Sequence, residues 1–331
     1  MQSRDPIHKF GVHSEYGKLH EVVVGRVEDL ALPPWSPDLS HYNAELTSAI
    51  KGRNQALVIE EAMPERFARA REQMENLVAT YERFGVVVHR PRPYTEEERR
   101  YLVELQLGHA QLYPADPVYV LGNHFLELNI RRAYRRKEVF PLHDLVVDRI
   151  ANDPDAHHVA IPPARPHQPS GEGPGPFLEG GDILICGRDV IVGQHQLCSD
   201  PAGIGWLSRY LAPHGYRVHP MPLQGNLLHG LGVMCLIREG LLLAYRPALV
   251  EGLPEPVKDW EVIELSAEDA ANFATVGVSI DEKTLLIEET NKRVMDELDK
   301  RGVEPIPLPA ADLGFFGGSL RCSTLPLSRD A

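Results

Sequence analysis

Cys322 lies close to the end of the sequence, in the run Gly317-Gly318-Ser319-Leu320-Arg321-Cys322-Ser323-Thr324. Glycines ahead of a thiol let the backbone approach a ligand closely, and the adjacent Arg321 favours thiolate over thiol. The setting is polar and glycine-rich, so Cys322 reads as a nucleophile. The other three cysteines, Cys186, Cys198 and Cys235, stand beside apolar strand-like runs and read as small buried hydrophobes.

A second constellation is Phe177-Leu178-Glu179-Gly180-Gly181-Asp182-Ile183-Leu184, which puts two carboxylates around a glycine pair just before an apolar run. Carboxylates are almost never buried without a partner, so this pair should meet a cation, a metal or water. The alternative is a turn in which Asp182 caps a backbone amide. Asp116, in Tyr113-Pro114-Ala115-Asp116-Pro117, poses the same question. His229, in Leu228-His229-Gly230-Leu231-Gly232, falls where a loop enters the apolar run Val233–Ile237; as one of fifteen histidines it is not singled out by position alone.

Several classes are disfavoured. A formal charge of −13 opposes nucleic-acid binding, which needs clustered Lys and Arg. The four cysteines show neither paired spacing nor a Cys/His finger, and there is no HExxH motif and no nucleotide-cradling glycine loop after a strand pattern. Cofactor-free, metal-free chemistry on a small molecule is the simplest account. The charged start, Met1 to Phe10, and the lack of any long apolar run predict a cytoplasmic protein with no membrane partner.

The elements that must position these residues repeat. Four pairs of apolar runs are joined by tight polar turns: Val118–Leu128 through Gly122-Asn123, Ile183–Val192 through Gly187-Arg188-Asp189, Val233–Tyr245 through Arg238-Glu239-Gly240, and Val276–Glu288 through Asp281-Glu282-Lys283. Each is a predicted hairpin. Three times a helical pattern closes on glycine and leads into a short strand with alternating prolines: Met63–Phe84 through Gly85 to Pro91 and Pro93, Gly203–Leu211 through Gly215 to Pro220 and Pro222, and Asn291–Arg301 through Gly302 to Pro305, Pro307 and Pro309. Glycine ends the helix in the left-handed conformation, and the prolines are expected to stop the strand from pairing further.

Together these predict an α/β fold of ββαβ modules, each too small to stand alone and therefore stacked or closed on one another. An ordinary α/β fold with similar strand–helix pairs is the alternative. Pro162–Pro176 is Pro/Gly-rich and reads as an inserted loop, placed to act as a lid beside Glu179–Asp182. The whole chain, residues 1–331, reads as one catalytic domain.

The sequence resembles the amidinotransferases of the pentein superfamily of guanidino-group-modifying enzymes. The likeness runs through His13-Ser14-Glu15-Tyr16, Glu21–Arg26, Val87–Pro91, Val120–Asn123, Glu179–Asp182, Gly203–Trp206, Leu211–Pro213, His229, Asp281–Lys283, Gly317-Gly318 and Cys322. It implies a five-bladed α/β propeller. It also implies Cys322 as nucleophile, His229 as general acid–base and Asp182 as the carboxylate that grips the guanidinium. Asp116 resembles a second guanidinium-binding aspartate, Glu179 a position that is acidic in related deiminases, and Arg321 a further substrate-side residue.

The implied reaction transfers the amidino group of arginine, or a related guanidine, to an amine through a covalent amidino-cysteine. With water as acceptor the same residues would give a deiminase- or dimethylargininase-type hydrolase, which the ending Arg321–Arg329 resembles. A non-catalytic amino-acid-binding relative is a third reading. The implied partners are small molecules only, and a homodimer is compatible with the resemblance. Two departures stand out: Leu231 replaces an aspartate two residues after the histidine, and Ala115 replaces an arginine before Asp116, so an unusual donor or acceptor is expected.

Overall fold

The computed structural model describes residues 9–36, 39, 42–164, 175–225 and 228–331. Most of the loop expected to act as a lid, residues 165–174, lies outside them.

The chain is α/β and is built on a repeated three-stranded unit. Five sheets share one pattern, in which the central strand is antiparallel to one neighbour and parallel to the other. Four are sequential: Val118–Leu121, His124–Glu127 and His157–Ala160; Ile183–Cys186, Asp189–Gln194 and Arg217–Pro222; Met234–Arg238, Leu241–Ala244 and Glu261–Glu264; and Val278–Asp281, Thr284–Glu288 and Glu304–Leu308. The predicted hairpins form the antiparallel pairs, with Gly122, Gly187 and Gly240 at positive φ in three of the turns. A parallel third strand requires a crossover. Helices His143–Asn152, Pro201–Leu211 and Lys292–Asp299 provide three of them. In the remaining sequential unit the crossover contains single 3₁₀ turns at Arg246–Ala248 and Glu255–Val257, where Pro247, Pro254 and Pro256 interrupt any longer helix.

The fifth sheet joins the two ends of the chain. Leu19–Val24 pairs antiparallel with Thr324–Arg329 and parallel with Val87–His89, which follows helix Pro64–Arg83 and Gly85. A separate antiparallel sheet of Leu57–Val58, Arg26–Leu32 and His109–Gln111 is inserted between its elements.

Pro91 and Pro93 follow strand Val87–His89 as expected, but in two other units the prolines lie within the third strand. Pro220 and Pro222 pair with Val192 and Gln194, and Pro305 and Pro307 with Leu285 and Ile287. These are edge strands with prolines at alternate residues, so every missing N–H falls on the side away from the ladder.

The N-terminal segment stitches the units together. Gly11 bridges Ser328, Val12 bridges Gly122 and Ser14 bridges Cys186, so three sheets share one strap. That strap buries Glu15, whose carboxylate receives Arg321 at 3.1 Å and the Tyr119 hydroxyl at 2.5 Å. No helix among the described residues is long and apolar enough to cross a membrane.

A buried cation that loses its counter-ion costs about 3–5 kcal/mol. Glu15→Gln should therefore lower stability by about that amount, read as a fall in the urea midpoint at unchanged slope. A loss under about 1 kcal/mol would mean that the Glu15–Arg321 pair is not what holds the strap to the core.

Candidate active site

Cys322, His229 and Asp116 line one cavity, along with Tyr113, Arg132, Tyr134, Arg135, Glu138, Phe316 and the Leu30–Pro33 strand end. Three distant stretches of chain thus converge, although the carboxylate that joins Cys322 and His229 on the wall is Asp116 and not the expected Asp182.

Cys322 sits in a tight turn at the start of the last strand. The Ser323 amide donates to Ser319 O at 3.0 Å and the Arg321 amide to Val276 O at 3.1 Å, which fixes the turn from both sides. Gly317 has φ +97, a conformation that disfavours other residues, and a Cβ on Gly318 would stand 2.7 Å from the Tyr113 ring. Burial pushes the Cys322 thiol above its ordinary pKa and the Asp116 charge adds to this, against smaller opposing effects of Ser319, His229 and Arg321. At rest near neutral pH the sulfur is therefore a thiol.

His229 is buried and held by Glu179: its Nε2 lies 2.7 Å from Glu179 Oε2, while Nδ1 lies 4.0 Å from Asp116 Oδ1. Burial opposes the charged ring, but Cys198, Asp116 and Glu179 together raise its pKa well above the ordinary histidine value. Burial would likewise raise Glu179, yet the bond and charge of His229, with Arg132 and the Arg131 amide, hold it down to about 2. The pair is an imidazolium and a carboxylate.

The Glu-Gly-Gly-Asp motif is explained by this packing. A Cβ on Gly181 would come 2.6 Å from His229 Nδ1 and 2.9 Å from Asp116 Oδ1, and one on Gly180 would overlap Ala115 O at 1.9 Å. The motif is docked by Gly180 N donating to Asp116 O at 2.9 Å and by the Asp200 carboxylate, which caps helix Pro201–Leu211 and also accepts from Phe177 N at 3.1 Å.

Asp182 does not stand where a substrate carboxylate was expected. Its Oδ1 accepts from Gly230 N at 2.9 Å, and its Oδ2 from the Ser199 hydroxyl at 2.6 Å and amide at 3.1 Å. It is fully buried and does not line the cavity. Burial raises its pKa to about 6, despite the opposing His229, Ser199 and Gly230. Its geometry makes it a positioning residue that fixes the backbone after His229, closer to the turn-capping alternative.

Glu179 and Arg321 are also displaced from the substrate side. Glu179 binds His229 and the Arg131 amide, and Arg321 turns into the core onto Glu15 and Thr324 O. Neither lines the cavity.

Asp116 does. Its Oδ2 accepts from Arg135 Nη1 at 2.8 Å, and its Oδ1 is buried with no hydrogen-bond partner among the described residues. Arg135 is itself gripped at both ends of Glu138, at 2.9 and 2.8 Å. Burial pushes Glu138 up to about 7 against the pull of Arg135. Arg132, buried on the cavity wall, makes a single long contact to Leu197 O at 3.4 Å. Arg132, Arg135 and Glu138 escaped sequence reasoning; the charged run Arg131–Glu138 was their only signal.

Cys198 is not in an apolar strand. It occupies the turn His195–Ser199, its Sγ donates to Leu228 O at 2.5 Å, and its sulfur, His229 and Glu179 present donor atoms within 4.8 Å of one another. Leu231 is buried in the core, and Ala115 is buried beside Gly180.

Against known proteins, no family model matches the chain. An uncharacterised protein, YkgA of Bacillus subtilis, is 32% identical over 153 residues, 46% of this chain and 52% of that protein. A putative inosamine-phosphate amidinotransferase 2 of Streptomyces griseus is 26% identical over 96% of both chains. Glycine amidinotransferase of Gallus gallus is 25% identical over 96% of this chain and 82% of that one. Among solved structures, an amidinotransferase of Microseira wollei from saxitoxin biosynthesis superposes with TM-score 0.79 at 21% identity over 98% of both chains. A dimethylarginine dimethylaminohydrolase superposes with TM-score 0.62 at 16% identity, over 93% of this chain and all of that one.

Two outcomes check the electrostatics. Alkylation of Cys322 by neutral iodoacetamide should rise only through the alkaline range, with a midpoint above about 8.5. Asp116→Asn removes a charge that opposes the thiolate and should move that midpoint down; an unchanged midpoint would show that the carboxylate does not act on the sulfur. Gly181→Ala should cost about 1–3 kcal/mol of stability from overpacking and shift the His229 ring resonances, and unshifted resonances would contradict the contact.

Proposed function

We propose, from the premise that the chain belongs to the amidinotransferase family of the pentein superfamily, that it transfers an amidino group from arginine or a related guanidine to an amine through a covalent intermediate on Cys322. The observation that carries this reading is the unpartnered oxygen of Asp116, buried in the cavity that Cys322 and His229 share. An orphaned buried carboxylate oxygen carries an unmet desolvation cost. A guanidinium N–H answers it and sets the central carbon beside sulfur, so that attack becomes effectively intramolecular.

We read the five repeated sheets as blades of a five-bladed propeller forming a single catalytic domain. In the proposed sequence the bound cation favours ionisation of Cys322, whose proton passes to water and returns when the C–S bond breaks at the end of the cycle, and the thiolate adds to the guanidinium carbon. The imidazolium of His229 gives its proton to the departing amine as the C–N bond breaks, leaving an amidino thioether. The acceptor amine then adds to the same carbon, the now neutral imidazole takes its proton, and the C–S bond breaks to regenerate the enzyme. Nε2 is committed to Glu179, so Nδ1 is the nitrogen assigned to this work. Arg132 supplies a cation for an anionic end of the donor or acceptor. With Leu231 in place of a second aspartate, Asp116 is the main grip on the cation.

The fold likeness to dimethylarginine dimethylaminohydrolase supports hydrolysis as a second reading, with water as acceptor. Arginine incubated with and without candidate amines decides between them. Ornithine formed only with an amine supports transfer; citrulline formed without one supports the hydrolase; neither, over a panel of guanidines, removes both. Cys322→Ala should abolish turnover while substrate binding persists, and measurable turnover would exclude the covalent route. Glu179→Gln should slow turnover by roughly a hundred-fold or more, through loss of the imidazolium it holds.

A further inference from the structure

Glu179, Cys198 and His229 form a set of donors that the proposed reaction only partly uses. Glu179 and His229 face one another, whereas the thiol of Cys198 has no part in it, although its surroundings are far from inert. Its sulfur lies against the imidazole, and the turn that carries it is fixed on both sides, by His195 N donating to Ser199 O at 3.2 Å and by Arg131 Nε donating to Cys198 O at 3.0 Å. All three residues are buried, and their Sγ, ring nitrogen and carboxylate oxygen lie within 4.8 Å of one another.

We propose that these three residues are a binding site for a thiophilic divalent cation, zinc in the first instance, and that its occupation switches the enzyme off. Thiolate, imidazole and carboxylate are the ligand types zinc takes, at about 2.3 Å for sulfur and about 2.0–2.2 Å for nitrogen and oxygen. Tetrahedral angles at those distances separate ligand atoms by roughly 3.3–3.6 Å. Nε2 and Oε2 of the His229–Glu179 pair, 2.7 Å apart, therefore have to part by somewhat more than half an ångström on average, within reach of side-chain rotation. A second cysteine beside the acid–base histidine also has no other evident use, because burial pushes its thiol up to about 12 and makes it a poor nucleophile on its own.

Binding displaces the thiol proton and the proton shared by Nε2 and Oε2, so affinity falls as pH falls. With the metal on Nε2 the ring keeps only its Nδ1 proton, whose loss would leave an imidazolate, so His229 no longer serves as the acid, and Cys322 is not touched. Arg132, close enough to Glu179 to lower its pKa, opposes a dication here and makes this a weaker, reversible site than a four-ligand structural one. The switching consequence rests on His229 being the acid–base residue; the site itself does not.

Cobalt(II) titration of the full chain separates the two. Wild type and Cys322→Ala should both bind one cobalt with a thiolate charge-transfer absorption, and Cys198→Ala should lack it. Cys198→Ala should resist zinc at least ten-fold better than wild type, with each protein's turnover read against its own metal-free rate. If the absorption survives in Cys198→Ala, disappears in Cys322→Ala or never forms, the site is refuted. If Cys198→Ala does not fold, Cys198→Val gives the same reading. Binding without loss of turnover would refute the switch alone, and binding in a chain with no amidino transfer would leave the site standing while the functional reading fails.

Discussion

The bond between Glu179 and His229 constrains everything around it. A buried imidazole loses its charge unless something holds it, and a buried carboxylate regains its proton for the same reason. At 2.7 Å each removes the other's difficulty, so two groups that burial would neutralise stay ionised together. Such a pair is costly to desolvate and is sustained only by good geometry and further hydrogen bonds. The chain supplies them. Arg131 donates its amide to the second Glu179 oxygen, Asp182 anchors the Gly230 amide that follows the ring, and Ser199 anchors Asp182. Gly181 is required because the ring and Asp116 occupy the space a side chain would need, and Gly180 because the Ala115 carbonyl does.

The same bond explains why the site spans several sheets. Glu179 and Asp182 precede strand Ile183–Cys186, His229 precedes strand Met234–Arg238, Asp116 precedes strand Val118–Leu121, and Cys322 precedes strand Thr324–Arg329. Each functional group enters at the start of the first strand of its unit, where a loop becomes a strand and the backbone is already fixed by its ladder. Rigid strands with short irregular lead-ins put Cys322, His229 and Asp116 on one cavity wall, with Glu179 and Asp182 held behind the ring and its backbone.

The hairpins were legible because their signals are local: apolar runs, a turn residue, a glycine at positive φ. The sheet that joins Leu19–Val24 to Thr324–Arg329 was not, since pairing across most of the chain leaves no short-range pattern. The crossover through Arg246–Ala248 was hidden by prolines that forbid a longer helix there. In the site, Cys322, His229 and Asp116 were found where the residues and the resemblance put them. That Glu179 meets the ring and Asp182 the backbone after it, with neither on the cavity wall, was not readable. Two carboxylates three residues apart carry the same chemistry, and which one meets the ring depends on the 3₁₀ turn between them and on Ser199, 17 residues beyond Asp182. Cys198 and Arg321 were misplaced for a related reason: apolar or glycine-rich neighbours in sequence say little about partners such as His229 or Glu15, which arrive from elsewhere.

The resting thiol is the last consequence. Burial, and after it Asp116, raises the pKa of Cys322, and the same aspartate has an oxygen with no hydrogen-bond partner among the described residues, which makes the site hostile to a thiolate and attractive to a cation. In the proposed reaction a guanidinium satisfies that oxygen and offsets the charge that, after burial, opposed ionisation, so the substrate lowers one of the two obstacles to its own nucleophile. A neutral molecule of the same shape does neither. Selectivity for a cationic planar group then arises from activation as well as from binding, since a ligand that merely fills the cavity leaves sulfur protonated. That arrangement also accounts for how one aspartate could serve where Leu231 provides no second: Asp116 need not hold the cation tightly if the cation's presence is what turns the thiol into a nucleophile.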